Sequence, residues 1–302
     1  MAGSQDYAPD PRNAHALVYL NGELVPRQEA KVSIFDAGFS LGDGVWEGLR
    51  LHKGRLMFLD AHLSRLFEGA MAIGLDIGLD RAGVARALNA TVQANGMTDG
   101  VHLRLMVTRG LKATVNQDPR NALGQPTIVV TAEYKATSPP APGKGLSLYT
   151  SSMRCTPREM FDMRINSHSR LNLITALLEA IDAGADEALM LDPHGFVSSC
   201  NATNFFFSRG GELYTSSGEY CFNGVTRANI VALARGADVP IHLGAFPVEA
   251  ARDADEAFVT GTLGGVTAVR AIDGRSLRQT PGPLTLRMRD LYLALMDREA
   301  AR

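Results

Sequence analysis

The stretch RINSHSRLNL, Arg164 to Leu173, sets polar side chains of different chemistry in front of a helix. An unperturbed histidine titrates at about 6.5, so His168 can give and take a proton near neutrality. Arg170 stays protonated, which makes it a fixed cation but neither a nucleophilic amine nor a proton shuttle. Read alone, the stretch is a polar turn. Lysine, the amine that attacks carbonyl groups, occurs at Lys31, Lys53, Lys112, Lys135 and Lys144 and nowhere later in the chain. The seven histidines show no HExxH spacing or nearby carboxylate partners, so no metal site is expected. Cys155, Cys200 and Cys221 are odd in number and far apart, matching neither a disulfide framework nor a CxxC site. GTLGG lacks the strand–GxGxxG–helix setting of a dinucleotide site.

The elements that must position these residues are legible in the patterning. ALVYLNGELVP alternates around Asn21-Gly22, a hairpin signal. FLDAHLSRLFEGAMAIGL carries apolar residues at helical spacing, with Asp60 as its expected N-cap. In VHLRLMVTRG, Val101, Leu103, Leu105 and Val107 share one strand face, and His102, Arg104, Met106 and Thr108 share the other. The prolines and glycines of KATSPPAPGKG, Lys135 to Gly145, exclude helix and read as an extended linker. The expected division is an N-terminal α/β domain over 1–135, a linker over 136–145 and a C-terminal α/β domain over 146–302. In the second half, LNLITALLEAIDAG is a helix closed by Gly184, and DEALMLDPHGFVSS is a strand, a turn and a strand. NATNFFFSRGGELYTSSG turns at Gly210-Gly211, and GVTRANIVALARGA opens a helix at Thr226. DEAFVTGTLGGVTAVRAIDG gives two strands about a glycine-rich turn, and a helix from about Pro283 to Glu299 ends the chain. The fold class is α/β (α+β) in two domains.

Composition removes several function classes. Of 302 residues, 45% are hydrophobic and 21% charged, which excludes a disordered chain. A formal charge of -2 lacks the basic surplus that a nucleic-acid backbone demands, so no nucleic-acid role is expected. No run approaches the ~20 apolar residues of a membrane span. The N-terminal stretch is polar without a signal-like apolar run, and with the unpaired cysteines this places the protein in the cytoplasm.

In order and spacing, GDGVWEGLRLHKGRLMFLDAHLSRL, GVTRAN and DEAFVTGTLGGVTAVRAIDG resemble the class IV aminotransferases, the fold-type IV pyridoxal-phosphate enzymes. That group includes branched-chain and D-amino-acid aminotransferases and aminodeoxychorismate lyases. The resemblance runs from about residue 17 to 297. It implies a two-domain α/β fold of the D-amino-acid aminotransferase type, usually a homodimer, with pyridoxal or pyridoxamine phosphate in the cleft between domains. By the same resemblance Arg65 is the phosphate-binding arginine, Val225 and Thr226 form the phosphate loop at a helix start, and Thr262 is a second hydroxyl donor. Those groups suit an anion, which needs a cation and several N–H or hydroxyl donors. In isolation Arg65 reads as a solvated helix arginine and Thr226 as an N-cap.

Two departures from the family pattern stand out. The Schiff-base lysine of the family precedes the helix that begins here near Leu171, and its slot falls on His168, Ser169 or Arg170. The acidic partner of the pyridine nitrogen aligns with Ser199, which can hydrogen-bond that nitrogen but supplies no counter-charge. Arg104 resembles a substrate-handling arginine of branched-chain aminotransferases and would suit an α-carboxylate. Phe39 stands where relatives often carry tyrosine, and Arg109 is common in the D-amino-acid branch. Trp46 and Glu47 are expected to pack and pair rather than react. Three readings follow. One is an enzyme acting on an amino acid and a 2-oxo acid with its cofactor held non-covalently and His168 or another base moving the proton. The others are a family member that does not transaminate, and an active enzyme changed by a lysine-to-arginine substitution at 170.

Overall fold

The computed structural model describes Ser4, residues 8–135 and residues 144–302. Most of the expected linker, 136–143, lies outside the described residues. By internal contacts the chain forms two compact units. The N-terminal unit comprises Ala8–Ala136, Ile165–Arg170 and Glu299–Arg302, and the C-terminal unit comprises Met1–Tyr7, Thr137–Arg164 and Leu171–Arg298. The grouping is therefore not a single cut at the linker: among other segments, the hexapeptide before Leu171 belongs with the N-terminal residues.

The N-terminal unit is built on a six-stranded sheet of β1 (Leu17–Leu20), β2 (Glu23–Pro26), β3 (Gly44–His52), β4 (Arg55–Leu56), β5 (Val101–Thr108) and β6 (Thr127–Tyr134), in the order β2-β1-β6-β5-β3-β4. All its pairings are antiparallel. Asn21 and Gly22 both take positive φ, 50° and 102°, and make the tight turn between β1 and β2. Val101, Leu103, Leu105 and Val107 are all buried, so the alternation of β5 is realised. They pack with Val45, Leu49 and Leu51 of β3 against Leu63 and Leu66 of α2 (Leu59–Ala72) and Val84 and Leu88 of α3 (Arg81–Ala94). Asp60 is not the cap of α2: the helix starts one residue earlier, Phe58 occupies the N-cap at φ 53°, and Asp60 lies in the first turn. There its carboxylate suits the positive end of the helix dipole without ending the helix. A short helix, α1 (Ala37–Leu41), is capped by Asp36, whose Oδ1 accepts from the Gly38 and Phe39 N–H groups.

The C-terminal unit carries a nine-stranded mixed sheet. Its strands are β7 (Leu146–Arg154), β8 (Glu187–Leu191), β9 (Val197–Cys200), β10 (Asn204–Arg209), β11 (Glu212–Ser216), β12 (Ile241–Gly244), β13 (Glu256–Gly261), β14 (Gly265–Ile272) and β15 (Arg275–Ser276). The order is β12-β11-β10-β13-β14-β7-β8-β9, with β15 on β14. Around it lie α4 (Leu171–Asp182), α5 (Val225–Gly236), α6 (Val248–Arg252) and α7 (Pro283–Ala300). Gly184 at φ 74° ends α4 as expected, its N–H bonding the Ile181 carbonyl at 2.9 Å. One apolar core gathers Leu148, Leu189, Phe205, Phe207, Val259 and Val269; another sets Ala176 and Ala180 of α4 against Ala188 and Met190 of β8.

Candidate active site

In the N-terminal unit, β3 divides its side chains between the two faces of the sheet. Glu47 shares the helix-covered face with Val45 and Leu49 and is fully buried. Its carboxylate accepts from Arg65 Nε at 2.7 Å and Nη2 at 2.6 Å, a bidentate grip from α2. His62, one helical turn earlier, meets the same carboxylate through Nδ1 at 2.7 Å. Burial by itself would raise the Glu47 pKa, but Arg65, joined by His62, reverses that and holds it below the ordinary value. Glu47 thus pairs, and Arg65 is no solvated arginine.

On the opposite face, Arg104 of β5 stands across from Gly48 and diagonal to Trp46. With no side chain at Gly48 to fill the space, the Arg104 guanidinium lies over the Trp46 ring, 3.7 Å from its centroid. His102 is buried beside Gly48, and burial, with Arg104 adding, lowers its pKa to about 3. It is therefore neutral at pH 7. Arg109, further along, holds Asp43 at 2.6 and 2.9 Å and the carbonyls of Ile73 and Gly74. Phe39 is exposed on α1, where its N–H is held by the Asp36 cap.

The hexapeptide 165–170 is stitched to β3. Trp46 N–H donates to the Asn166 carbonyl at 2.9 Å, His168 N–H donates to the Gly44 carbonyl at 2.9 Å, and Val45 and Ser167 form an antiparallel bridge. Arg170 turns back on this loop. Its Nε donates to the Ser167 carbonyl at 3.0 Å, and its Nη2 donates to the Ile165 carbonyl and to Asn166 Oδ1, both at 2.8 Å. Burial, reinforced by Arg65 and Arg104, pushes its pKa down to about 10, still far above neutrality. Ser169 is exposed and donates to the Gly42 carbonyl at 3.2 Å. His168 Nε2 is buried with no hydrogen-bond partner, and burial lowers the imidazole pKa from 6.5. No lysine is among these six residues.

In the C-terminal unit, the predicted site residues are joined by hydroxyls and amides. Ser199 on β9 is buried, and its Oγ donates to the Thr203 carbonyl at 2.7 Å. Asn204 at the start of β10 reaches Ser199 Oγ at 3.4 Å and the Phe222 carbonyl at 2.7 Å through Nδ2, while its Oδ1 accepts from Gly224 N–H at 3.2 Å. Asn204 therefore links Ser199 to the residue that precedes α5. Gly224 gives α5 no side-chain cap, leaving the first-turn N–H groups of Val225 and Thr226 available to an acceptor. The Thr226 hydroxyl, buried, lies 3.4 Å from the Tyr292 hydroxyl. Thr262 sits in the turn after β13, and Thr260, in register with Asn204, has a buried hydroxyl with no partner.

The profile of a family described as Amino-transferase class IV matches residues 44–272. This chain belongs to the class IV aminotransferases. Branched-chain-amino-acid aminotransferase-like protein 2 of Arabidopsis thaliana is 37% identical over 290 residues, covering 96% of this chain and 52% of that protein. The chain thus spans about half the length of that relative. The putative branched-chain-amino-acid aminotransferase of Methanocaldococcus jannaschii is 33% identical over 278 residues, covering 91% of this chain and 94% of its own. A solved T.th. branched-chain amino acid aminotransferase with pyridoxamine 5'-phosphate superposes with a TM-score of 0.88 at 29% identity, over 94% of this chain and 95% of that one. The fold is the two-domain α/β fold of the fold-type IV enzymes, as the motif order implies.

Judged on their own geometry, the residues at the start of α5 suit an anion such as a phosphate. The uncapped start of α5 and the unpartnered Thr260 hydroxyl are donors in want of an acceptor, and the Thr226 hydroxyl is engaged with Tyr292. Arg65 brings a cation already neutralised by Glu47. The three residues of the lysine slot offer an imidazole with one unpartnered nitrogen, Nε2, an exposed hydroxyl and a guanidinium engaged with its own loop. Sequence reading passed over Asn204, Thr203, Glu187 and Asn166. Their signal is a polar residue inside an apolar strand or beside a turn, as in TNFFF and DEALM, and only pairing across elements gives it meaning.

Proposed function

We propose that this chain works on an amino acid and a 2-oxo acid with pyridoxal or pyridoxamine phosphate held non-covalently. The observation that carries this reading is the loop 165–170, where Arg170 is tied to Ile165, Asn166 and Ser167 while the neighbouring His168 keeps an unpartnered Nε2. When bound, the cofactor ring supplies an electron sink for a proton leaving the substrate carbon. The phosphate would be held by the N–H groups of Val225 and Thr226, the Thr226 and Thr262 hydroxyls, and Arg65 as the cation. Ser199 would face the ring nitrogen as a neutral hydrogen-bond partner.

His168 would take and return the substrate proton at Nε2. Its lowered pKa keeps the imidazole neutral at pH 7, ready to accept. Arg104, held flat by Trp46, would take the substrate carboxylate, with Phe39 as an apolar neighbour. The test is incubation with pyridoxamine phosphate and a panel of 2-oxo acids, with amino acids as the expected product. Borohydride should fix no pyridoxal to the chain, and a lysine of this chain so labelled would overturn non-covalent binding. The rate should stay level as pH falls to 6.5 and decline only below it, and His168→Gln should remove that limb with most of the activity.

A second reading, a family member that binds the cofactor without transaminating, draws on Ser199. Its hydroxyl proton is directed to the Thr203 carbonyl and it brings no counter-charge to a ring nitrogen. Cofactor retained without turnover would favour it. Pairing with a second copy is supported by α4, whose Leu171, Ile174, Leu178 and Ile181 form an exposed apolar stripe at helical spacing. Placing Glu at Ile174 and Leu178 should then yield monomer by sedimentation. The three buried free cysteines support a reducing, cytoplasmic setting.

A further inference from the structure

We propose that Arg170 is a positioning residue for the substrate anion, acting through Trp46 on Arg104. This rests on the reading that Arg104 takes the substrate carboxylate. The Ser167 carbonyl accepts from both Arg170 Nε and Trp46 Nε1, each at 3.0 Å, so one oxygen sets the guanidinium and the indole together. Asn166 makes a second bridge: its Oδ1 accepts from Arg170 Nη2 at 2.8 Å, and its Nδ2 donates to the Trp46 carbonyl at 2.6 Å. The Trp46 N–H closes the network on the Asn166 carbonyl at 2.9 Å. The indole plane fixed this way is the surface on which the Arg104 guanidinium lies, 3.7 Å from the ring centroid.

An arginine is suited to this position because its planar fork bonds three acceptors at fixed angles. An ammonium is a point charge on a flexible stem and matches that pattern poorly. Arg170 is one of the three residues, with His168 and Ser169, on which the family's lysine slot falls, and here it serves as a brace rather than an amine. Gly48 completes the arrangement, since a side chain there would meet His102 Nε2 at 3.0 Å and the Trp46 ring at 3.7 Å.

Trp46 is the single tryptophan of the chain, so its emission reports on this network alone. In protein loaded with pyridoxamine phosphate, Arg170→Gln should red-shift Trp46 emission and open it to iodide quenching. It should weaken binding of 4-methyl-2-oxopentanoate about tenfold, the weight of one charge-assisted contact, while leaving pyridoxamine phosphate affinity unchanged. In an Arg104→Met background the added loss from Arg170→Gln should vanish. Unchanged Trp46 emission and quenching in Arg170→Gln would overturn the proposal, as would a tenfold loss that persists without Arg104. If Arg104→Met alone leaves oxo-acid binding intact, the carboxylate reading fails instead, and the Trp46 signal still judges the positioning role. Should Arg170→Gln not fold, Arg170→Lys carries the same readouts, and methylguanidinium added to Arg170→Gly should restore the Trp46 emission.

Discussion

Glu47 and Glu187 are both buried glutamates on β-strands, one in each unit, and they are held in opposite ways. Glu47 is met by the Arg65 guanidinium and the His62 imidazole, and its pKa falls below the ordinary value. Glu187 accepts from the Ser4 N–H at 2.9 Å and the Thr203 hydroxyl at 2.8 Å, and burial raises its pKa. At these two sites the N-terminal unit meets a buried carboxyl with charged partners, and the C-terminal unit meets one with a backbone N–H and a hydroxyl. The same contrast runs through the proposed site. In the N-terminal unit Arg65 grips Glu47, Arg104 lies over Trp46 and Arg170 braces the loop 165–170, whereas Ser199, Thr203, Asn204 and Thr226 work as hydroxyls and amides in the C-terminal unit.

The largest test of this contrast is truncation of each carboxyl. Glu47→Ala strands Arg65 and His62 and should cost about 3–5 kcal/mol of unfolding free energy in urea. Glu187→Ala leaves neutral donors unpaired and should cost about 1–3 kcal/mol; equal losses would erase the distinction.

The pH signatures should also oppose each other. With a depressed folded pKa, Glu47 contributes stability that is present above about 4.5 and lost as pH falls through its folded value. With a raised folded pKa, Glu187 contributes stability that is present below about 4.5 and lost as pH rises toward its folded value. Glu47→Gln should flatten the acid side of the stability profile, and Glu187→Gln the side above 4.5. Slopes of one sign for both would break the comparison.

His102 sharpens it within the N-terminal unit. Held neutral down to about pH 3, it should lower stability as pH drops from 6.5 toward 3, because the unfolded chain takes up the proton first. The slope is at most about 1.4 kcal/mol per pH unit, and His102→Gln should remove it in pH-resolved urea melts. Arg104→Met is the mildest change. It should cost about 0.5–2 kcal/mol of cation–π energy and shift Trp46 emission, with Glu47 and its partners undisturbed.

Local rules account for what was legible. The Asn21-Gly22 turn, the alternation of β5, the Gly184 helix stop and the start of α5 each depend on neighbours within a few residues. Asp60 shows their limit, since an acidic residue near a helix start serves either as cap or in the first turn, and only backbone geometry at Phe58 separates the two. Arg65 could be placed on a helix, but its grip on Glu47 spans eighteen residues of chain. Asn204 could be seen as polar in an apolar strand, but its ties to Ser199, Phe222 and Gly224 depend on strand β10 meeting β9 and the segment before α5.

The sequence by itself determined the family, the element order and the absence of lysine beyond Lys144, because residue identity and spacing are properties of the chain alone. The tertiary structure decided which groups meet. Hydrogen bonds and buried charges depend on which backbone atoms arrive within about 3 Å, and that distance set Arg170 on the loop 165–167, gave Trp46 its two partners and left His168 Nε2 without one.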